Sequence, residues 1–290
     1  MVDRIYIPTV RRADNQIFFE SLPSELQKKV IMVVQPDERH LYNYDCEYLE
    51  IPQSIVGSWT QLAQTRHFIH KHAGAVKYAV VDDDITLKRR NSKYWTGKSN
   101  METSRQPATP SEILRCFEQL SSWLDEDDIG IAGASNSEAP PANAEWVDTK
   151  GIFSMVFVDG RMLSPVLDQM DITSIRVAED VLFIYECLSK GINTRQSTEW
   201  MYDNGSLRSS MQDSRVIWTD MHEEKLDDYF QTDEHYGALE FIRNKFPEGM
   251  KIYEKDGKRK NTKYWKKVYK PWRRGFTDRN APSLEALLND

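Results

Sequence analysis

Residues 76 to 85 constrain the fold more than any other stretch. The run Tyr78-Ala79-Val80-Val81 ends abruptly in Asp82-Asp83-Asp84 before Ile85. An apolar, β-favouring run without polar alternation is the pattern of a strand buried on both faces of a mainly parallel sheet. The three acids then fall at its C-terminal edge, where open α/β sheets form their ligand crevice. Adjacent carboxylates repel one another, and near a sheet edge that repulsion is poorly screened. A divalent cation relieves it, and hard oxygen ligands suit Mg2+ or Mn2+. The competing account is a solvated acidic turn that caps the next element.

A chain of 290 residues can form one large α/β domain or two small ones, with a sizeable core in either case. Hydrophobic content of 40% and aromatic content of 11% exclude a disordered chain. The N-terminus runs straight into Arg4-Ile5-Tyr6-Ile7-Pro8, and no long apolar segment follows, so neither a secretory signal nor a membrane span is expected. Cys46, Cys116 and Cys187 are widely spaced, which suits a reducing cytoplasm and argues against a structural zinc or a disulfide framework. Charge is uneven. Residues 251 to 274 hold eleven Lys/Arg against two acids, a local +9 on a chain of net −7, which leaves −16 for the remainder. An acidic body with one basic patch directs a polyanion to that patch.

In chain order, Arg4–Pro8 reads as a short strand followed by a polar turn holding Arg11 and Arg12. Two arginines after a first strand either hold phosphates bidentately or are simply exposed. A short helix spans Ile17 to Leu22, Val30–Val34 is a second buried strand, and Gln35-Pro36-Asp37-Glu38 is a loop able to hydrogen-bond a nucleobase edge. Glu47–Ile51 forms a third strand. Trp59 to His72 has helical spacing, with Leu62, Phe68 and Ile69 inward and Arg66 on another face, and Gly74 ends the helix. His67, His70 and His72 do not share a face with any carboxylate. They read as surface or dipole-stabilising residues at the helix end, not as a metal cluster.

Residues 88 to 110 are polar and read as a long loop. Ser111-Glu112 caps a helix through Leu124, Ile129–Gly133 is a strand leading into a loop to Ala144, and Gly151–Val158 is another strand ending in the turn Asp159-Gly160-Arg161. Glu179-Asp180 opens an amphipathic helix closed by Lys190-Gly191. Acids at a helix start are favoured by the dipole, and the same place suits a catalytic carboxylate that takes a proton from a hydroxyl. Residues 234 to 246 form a further helix. The tail interleaves Lys263, Lys266, Lys267, Lys270, Arg273 and Arg274 with Trp265 and Trp272. Cations among aromatics suit a nucleic-acid surface, or a basic tail packed through its rings.

Strand-helix alternation, Asp82-Asp83-Asp84 after a buried strand, and Glu179-Asp180 on a later helix together resemble a GT-A glycosyltransferase. The resemblance implies a Rossmann-like, mixed but mainly parallel sheet flanked by helices, with a basic C-terminal extension. It implies metal ligands at Asp82 and Asp84, with His222 similar in placement to a C-terminal ligand histidine. Arg66 matches the Arg or Asn on the preceding helix, and Asp180, with Glu179, matches the acidic pair that supplies the base. Ile5-Tyr6-Ile7-Pro8-Thr9, Arg11-Arg12-Ala13-Asp14, Val33-Val34-Gln35-Pro36-Asp37-Glu38 and Thr65-Arg66 are similar, more narrowly, to phage glycosyltransferases that add sugars to 5-hydroxymethylpyrimidines in DNA.

The expectation is therefore a cytoplasmic (host-cytoplasmic if phage-encoded), Mn2+- or Mg2+-dependent hexosyltransferase using a nucleotide-sugar such as a UDP-sugar. Residues 1–225 would form the catalytic domain, with a nucleotide-binding half (1–90) and an acceptor half (91–225), and 226–290 a helical, basic extension. Pro8, Thr9, Arg11, Arg12, Gln35, Asp37, Glu38, Arg66 and Asp83 would bind the donor, and the basic tail would bind DNA. A polysaccharide, protein or small-molecule acceptor, a non-catalytic nucleic-acid-binding protein of this fold, and a nucleotidyltransferase remain alternatives.

Overall fold

The computed structural model describes residues 1–90, 105–137, 144–204, 233–264 and 274–275. The strand before the acids is β4 (Lys77–Val81); ahead of it lie β1 (Arg4–Pro8), β2 (Val30–Val34) and β3 (Glu47–Glu50). All four run parallel in the order β4-β1-β2-β3. Successive strand side chains point to opposite faces. Here Ile5, Ile7, Met32, Ala79 and Val81 enter one core, while Tyr6, Ile31, Val33, Tyr78 and Val80 enter the other. Burial on both sides is why these segments show no polar alternation.

Beyond β4 the sheet continues through β9 (Met155–Asp159), β7 (Ile129–Asn136), β10 (Asn193–Asp203), β8 (Trp146–Asp148) and β13 (Arg274–Gly275). Only β9 and β8 oppose the rest along this path, so the sheet is mixed but mainly parallel in strand direction, as expected. β5 (Thr86–Arg90) pairs antiparallel with the far half of β10 and carries β6 (Arg105–Pro107) on its other side.

Several local expectations are corrected. Within the polar stretch 88–110, Lys88–Arg90 complete β5 and Arg105–Pro107 form β6. β5 looks like a loop because its polar residues are paired: Lys88 with Asp203, and Arg89 with Glu199 at 2.9 Å and Glu112 at 3.0 Å. β7 runs past Gly133 to Asn136. The strand within 151–158 begins only at Met155, and β8 lies where no strand was expected. β10 also had no counterpart in the sequence reading. Its alternation is broken where Gln196 faces Gly133 but Met201 faces Ser135. Ser197 Oγ accepts the Glu199 and Trp200 N–H groups at 3.2 and 3.0 Å and holds that bulge.

α1 (Ile17–Ser21) and α4 (Pro110–Trp123) cover one face of the sheet through Phe18, Phe117 and Leu120; the polar stretch after Pro23 is the short α2 (Ser24–Gln27). The cap of α4 is Thr109, not Ser111-Glu112. Thr109 accepts the Glu112 N–H, and Glu112 Oε2 accepts the Thr109 N–H at 2.9 Å. Asp159-Gly160-Arg161, expected as a turn, opens α5 (Gly160–Leu163), with Asp159 Oδ1 accepting the Arg161 N–H at 2.9 Å.

The other face is covered by α3 (Gln61–Ala73), α6 (Glu179–Ser189) and α7 (Asp233–Lys245). Ile69 is buried as expected, but Leu62 is 37% exposed. His70 is not a surface residue. It is buried, 2.7 Å from Tyr78 Oη and stacked on Phe183, and burial pushes its pKa down to about 3. The chain after α7 forms a hairpin of β11 (Met250–Lys255) and β12 (Lys258–Lys263), so the described part of the extension is a helix, a hairpin and β13, which joins the main sheet. Asp256 and Gly257 both take the positive φ that a two-residue hairpin turn requires. Tyr185 on α6 donates to Gly249 O, which ties the hairpin root to that helix. The three cysteines are free, and no helix among the described residues is long and apolar enough to cross a membrane.

Candidate functional site

The C-terminal ends of β1, β2 and β4 meet the start of α3 around an open cavity of about 470 Å3. Strand order gives it two unlike ends. Val33, Val34 and Ile51 line the β2–β3 side, while Asp82, Asp83 and Asp84 line the β4 side with Arg12 and Arg66.

The three acids have different surroundings. Asp83 is buried: Thr9 Oγ1 donates to it at 2.6 Å and Arg12 Nη1 at 2.8 Å. Burial pushes its pKa up to about 6 against the pull of Arg12 and Thr9. Arg12 also reaches Asp84 Oδ2 at 3.1 Å, and burial, then Asp82, raises the Asp84 carboxyl. Gln16 braces this turn, donating to Thr9 Oγ1 at 2.8 Å and to Arg12 O at 2.9 Å.

Arg66 connects Asp82 to the second acidic element. Its Nη2 lies 3.3 Å from Asp82 Oδ1 and its Nε 3.6 Å from Glu179 Oε1. Glu179 is buried in the first turn of α6, and burial pushes its carboxyl up to about 7 despite Arg66. Ala178 ahead of it holds a left-handed φ of 58°, a strained conformation for a residue with a Cβ. Asp180 is half-buried, and its Oδ1 accepts the Val181 N–H at 2.7 Å. A second cavity of about 20 Å3 lies between Arg66, His70, Glu179, Asp180 and Phe183.

No protein-family model matches this chain, and no curated protein matches it. Distant likenesses exist among solved structures. A UDP-glucose pyrophosphorylase complexed with UDP-glucose shares 10% identity at a TM-score of 0.42, over 76% of this chain and 100% of that one. A UTP-bound UGPase from Acinetobacter baumannii shares 9% at 0.38, over 77% and 95%. The inositol-1-phosphate CTP transferase from T. maritima shares 8% at 0.35, over 74% and 96%. Likeness at this level carries no argument about chemistry.

Among the described residues no cluster of three or more His, Cys, Asp or Glu is arranged around a metal position. The donor set nevertheless suits Mg2+ or Mn2+. Asp82 and Asp84 both line the cavity, their ion pairs engage Oδ1 of Asp82 and Oδ2 of Asp84, and such ions bind through one or two carboxylates plus ligand phosphates.

The residues expected to bind a donor divide into two groups. Pro8, Thr9, Arg12, Gln35, Arg66 and Asp83 line the cavity, whereas Arg11, Asp37 and Glu38 are not among its lining residues. Glu38 instead supports the turn: its Oε2 accepts the Arg11 N–H at 2.7 Å, where Arg11 holds a φ of 54°. Sequence reasoning missed Trp59, Arg176 and Asn204, all of which line the cavity. Each lies in a short segment next to an element, and the clue for Asn204 was β10, which went unrecognised.

Lys263, assigned from sequence to the basic surface, is half-buried at the end of β12, donating to Asn261 Oδ1 at 3.1 Å. Burial lowers its pKa against the pull of Asp180. Arg274 lies in β13, where it pairs with Val147. His222, Trp265, Lys266, Lys267, Lys270, Trp272 and Arg273 lie outside the described residues.

Proposed function

We propose that the protein is a divalent-metal-dependent glycosyltransferase. It would move a sugar from a nucleotide-sugar, a UDP-sugar in the first instance, to the hydroxyl of a 5-hydroxymethylpyrimidine in DNA. The observation that carries the transferase reading is Arg66, which joins Asp82 at the acidic end of the cavity to Glu179 beside Asp180. Donor-side and acceptor-side acids thus belong to one connected site.

Asp82 and Asp84 would hold the cation, which when bound offsets the charge that develops on a leaving nucleoside diphosphate. Arg12 and Arg66 add positive charge at the same end of the cavity. Asp180 takes the proton of the acceptor hydroxyl, a weak nucleophile at neutral pH, as its oxygen bonds to the anomeric carbon and the bond to diphosphate breaks. The basic hairpin supports a polyanionic acceptor. Lys255, Lys258 and Lys260 are exposed on it, and its root is tied to the helix that carries Asp180. A target base within a duplex must be extruded to reach such a site.

The test incubates hydroxymethylated DNA, unmodified DNA and a glycan panel with mixed nucleotide-sugars and Mn2+, with and without chelator, followed by mass spectrometry. The expected product is a hexose mass on hydroxymethylated DNA alone, absent with chelator. Transfer only to glycans would replace the acceptor. In a parallel incubation with sugar phosphate and nucleoside triphosphate, formation of nucleotide-sugar and pyrophosphate would replace the reaction with nucleotidyl transfer.

A further inference from the structure

Trp59 is the most exposed large hydrophobic residue among those described, at 68%, and it sits in the wall of the main cavity. Large aromatic side chains are ordinarily much more buried than this, and this one lines a cavity together with Leu62, Val33 and Ile51. The ring is also held. The Arg176 guanidinium lies 4.3 Å from its centroid, and Arg176 is itself 3.6 Å from Glu234 on α7. A cation on one face of an indole is attracted by the ring quadrupole and leaves the other face for a ligand. Leu62, in the first turn of α3 and also partly exposed, lines the same cavity as Ile51 and Val33.

We propose that Trp59, backed by Arg176, is the stacking platform for the nucleobase of the donor. The inference rests on the donor reading of this cavity and adds which end of the nucleotide lies where. Val33 and Ile51 lie at the β2–β3 side of the cavity and the acids end β4, and Trp59 lines the same cavity. β1 separates β4 from β2, so with strands about 4.8 Å apart the two sides are separated by roughly 10 Å. A ribose and its phosphates bridge such a gap, with the base on the indole and the diphosphate at the acids. A base is flat and apolar on both faces; the phosphates are neither. Because the backing cation is tied to α7, the platform also links donor occupancy to the element that leads into the basic hairpin.

Isothermal titration of the full chain with UDP, UMP and pyrophosphate, each with Mg2+, tests the platform in wild type, Trp59→Ala and Trp59→Phe. Thermal melts confirm folding, which an exposed side chain should not affect. Trp59→Ala should weaken UDP and UMP about tenfold or more, the usual effect of losing one base–aromatic stack. It should leave pyrophosphate unchanged, and Trp59→Phe should recover most of the loss. Wild-type UDP affinity in Trp59→Ala overturns the platform while leaving the donor reading intact. Equal weakening of UDP and pyrophosphate also overturns it, by moving the role of Trp59 to the phosphates through Arg176. Failure of the wild type to bind any of UDP, CDP, GDP or ADP defeats the donor reading, and the platform with it.

Discussion

Glu179 and Asp180 are sequence neighbours in unlike surroundings, and each leads to a prediction at the residue scale. Asp180 is half-buried, faces the small second cavity and is the candidate base. Asp180→Asn should retain donor affinity while lowering turnover by about two to four orders of magnitude, the usual contribution of general-base catalysis. Loss of donor binding in a titration would make Asp180 a donor ligand instead. Glu179 is buried, and burial lifts its carboxyl from an ordinary 4.5 to about 7. Between those values the folded state holds a proton that the unfolded state has lost, so stability falls as pH rises through this window. Below it the group contributes no penalty, and above it the penalty is complete. Glu179→Gln should therefore flatten the decline in melting temperature between pH 5 and pH 8; an unchanged slope would place the titration elsewhere.

At the scale of elements, the junction of β9 and α5 packs without room for a side chain. A Cβ on Gly160 would lie 2.0 Å from Gly74 O and 2.5 Å from Val76 O, both backbone atoms. The Gly160 N–H also donates to Val76 O at 3.0 Å, which anchors the approach. Gly160→Ala should cost about 1–3 kcal/mol, as forced overpacking generally does, and urea denaturation would measure it. A variant as stable as wild type would show that the loop after α3 yields freely. β1, β2 and β4, buried on both faces by their own apolar runs, were legible in sequence, as in part were β3, β7 and β9. β5 and β10 were not, because β5 is built from Lys and Arg whose charges are met by distant carboxylates, and β10 carries a bulge that breaks its period. No local pattern encodes a partner 110 residues away.

At the scale of the whole molecule, the uneven charge is the feature that bears on the acceptor. If the segment from Lys251 to Arg274 grips DNA, affinity must fall steeply with salt, because each neutralised phosphate releases condensed counterion. Neutralising Lys266, Lys267, Arg273 and Arg274 together should weaken DNA binding and lower the slope of log affinity against log salt, by about 0.9 per lost phosphate contact. Donor hydrolysis should persist, since none of the four was assigned to the donor. Unchanged DNA binding with lost donor binding would place this segment over the nucleotide.

The sequence by itself determined the parallel heart of the sheet and the acid-tipped strand, because an uninterrupted apolar run and a carboxylate triplet are local signals read within ten residues. It also placed Arg66 and the acidic start of α6 as separate candidates. Only the tertiary structure decided how they combine: α3 packs against both β1 and α6, and from it one guanidinium meets both Asp82 and Glu179. It likewise turned Asp83 and His70 inward and set Trp59 against Arg176 across 117 residues of chain. Such pairings depend on which elements become neighbours when two cores close on one sheet, and that is a property of packing, which sequence spacing does not carry.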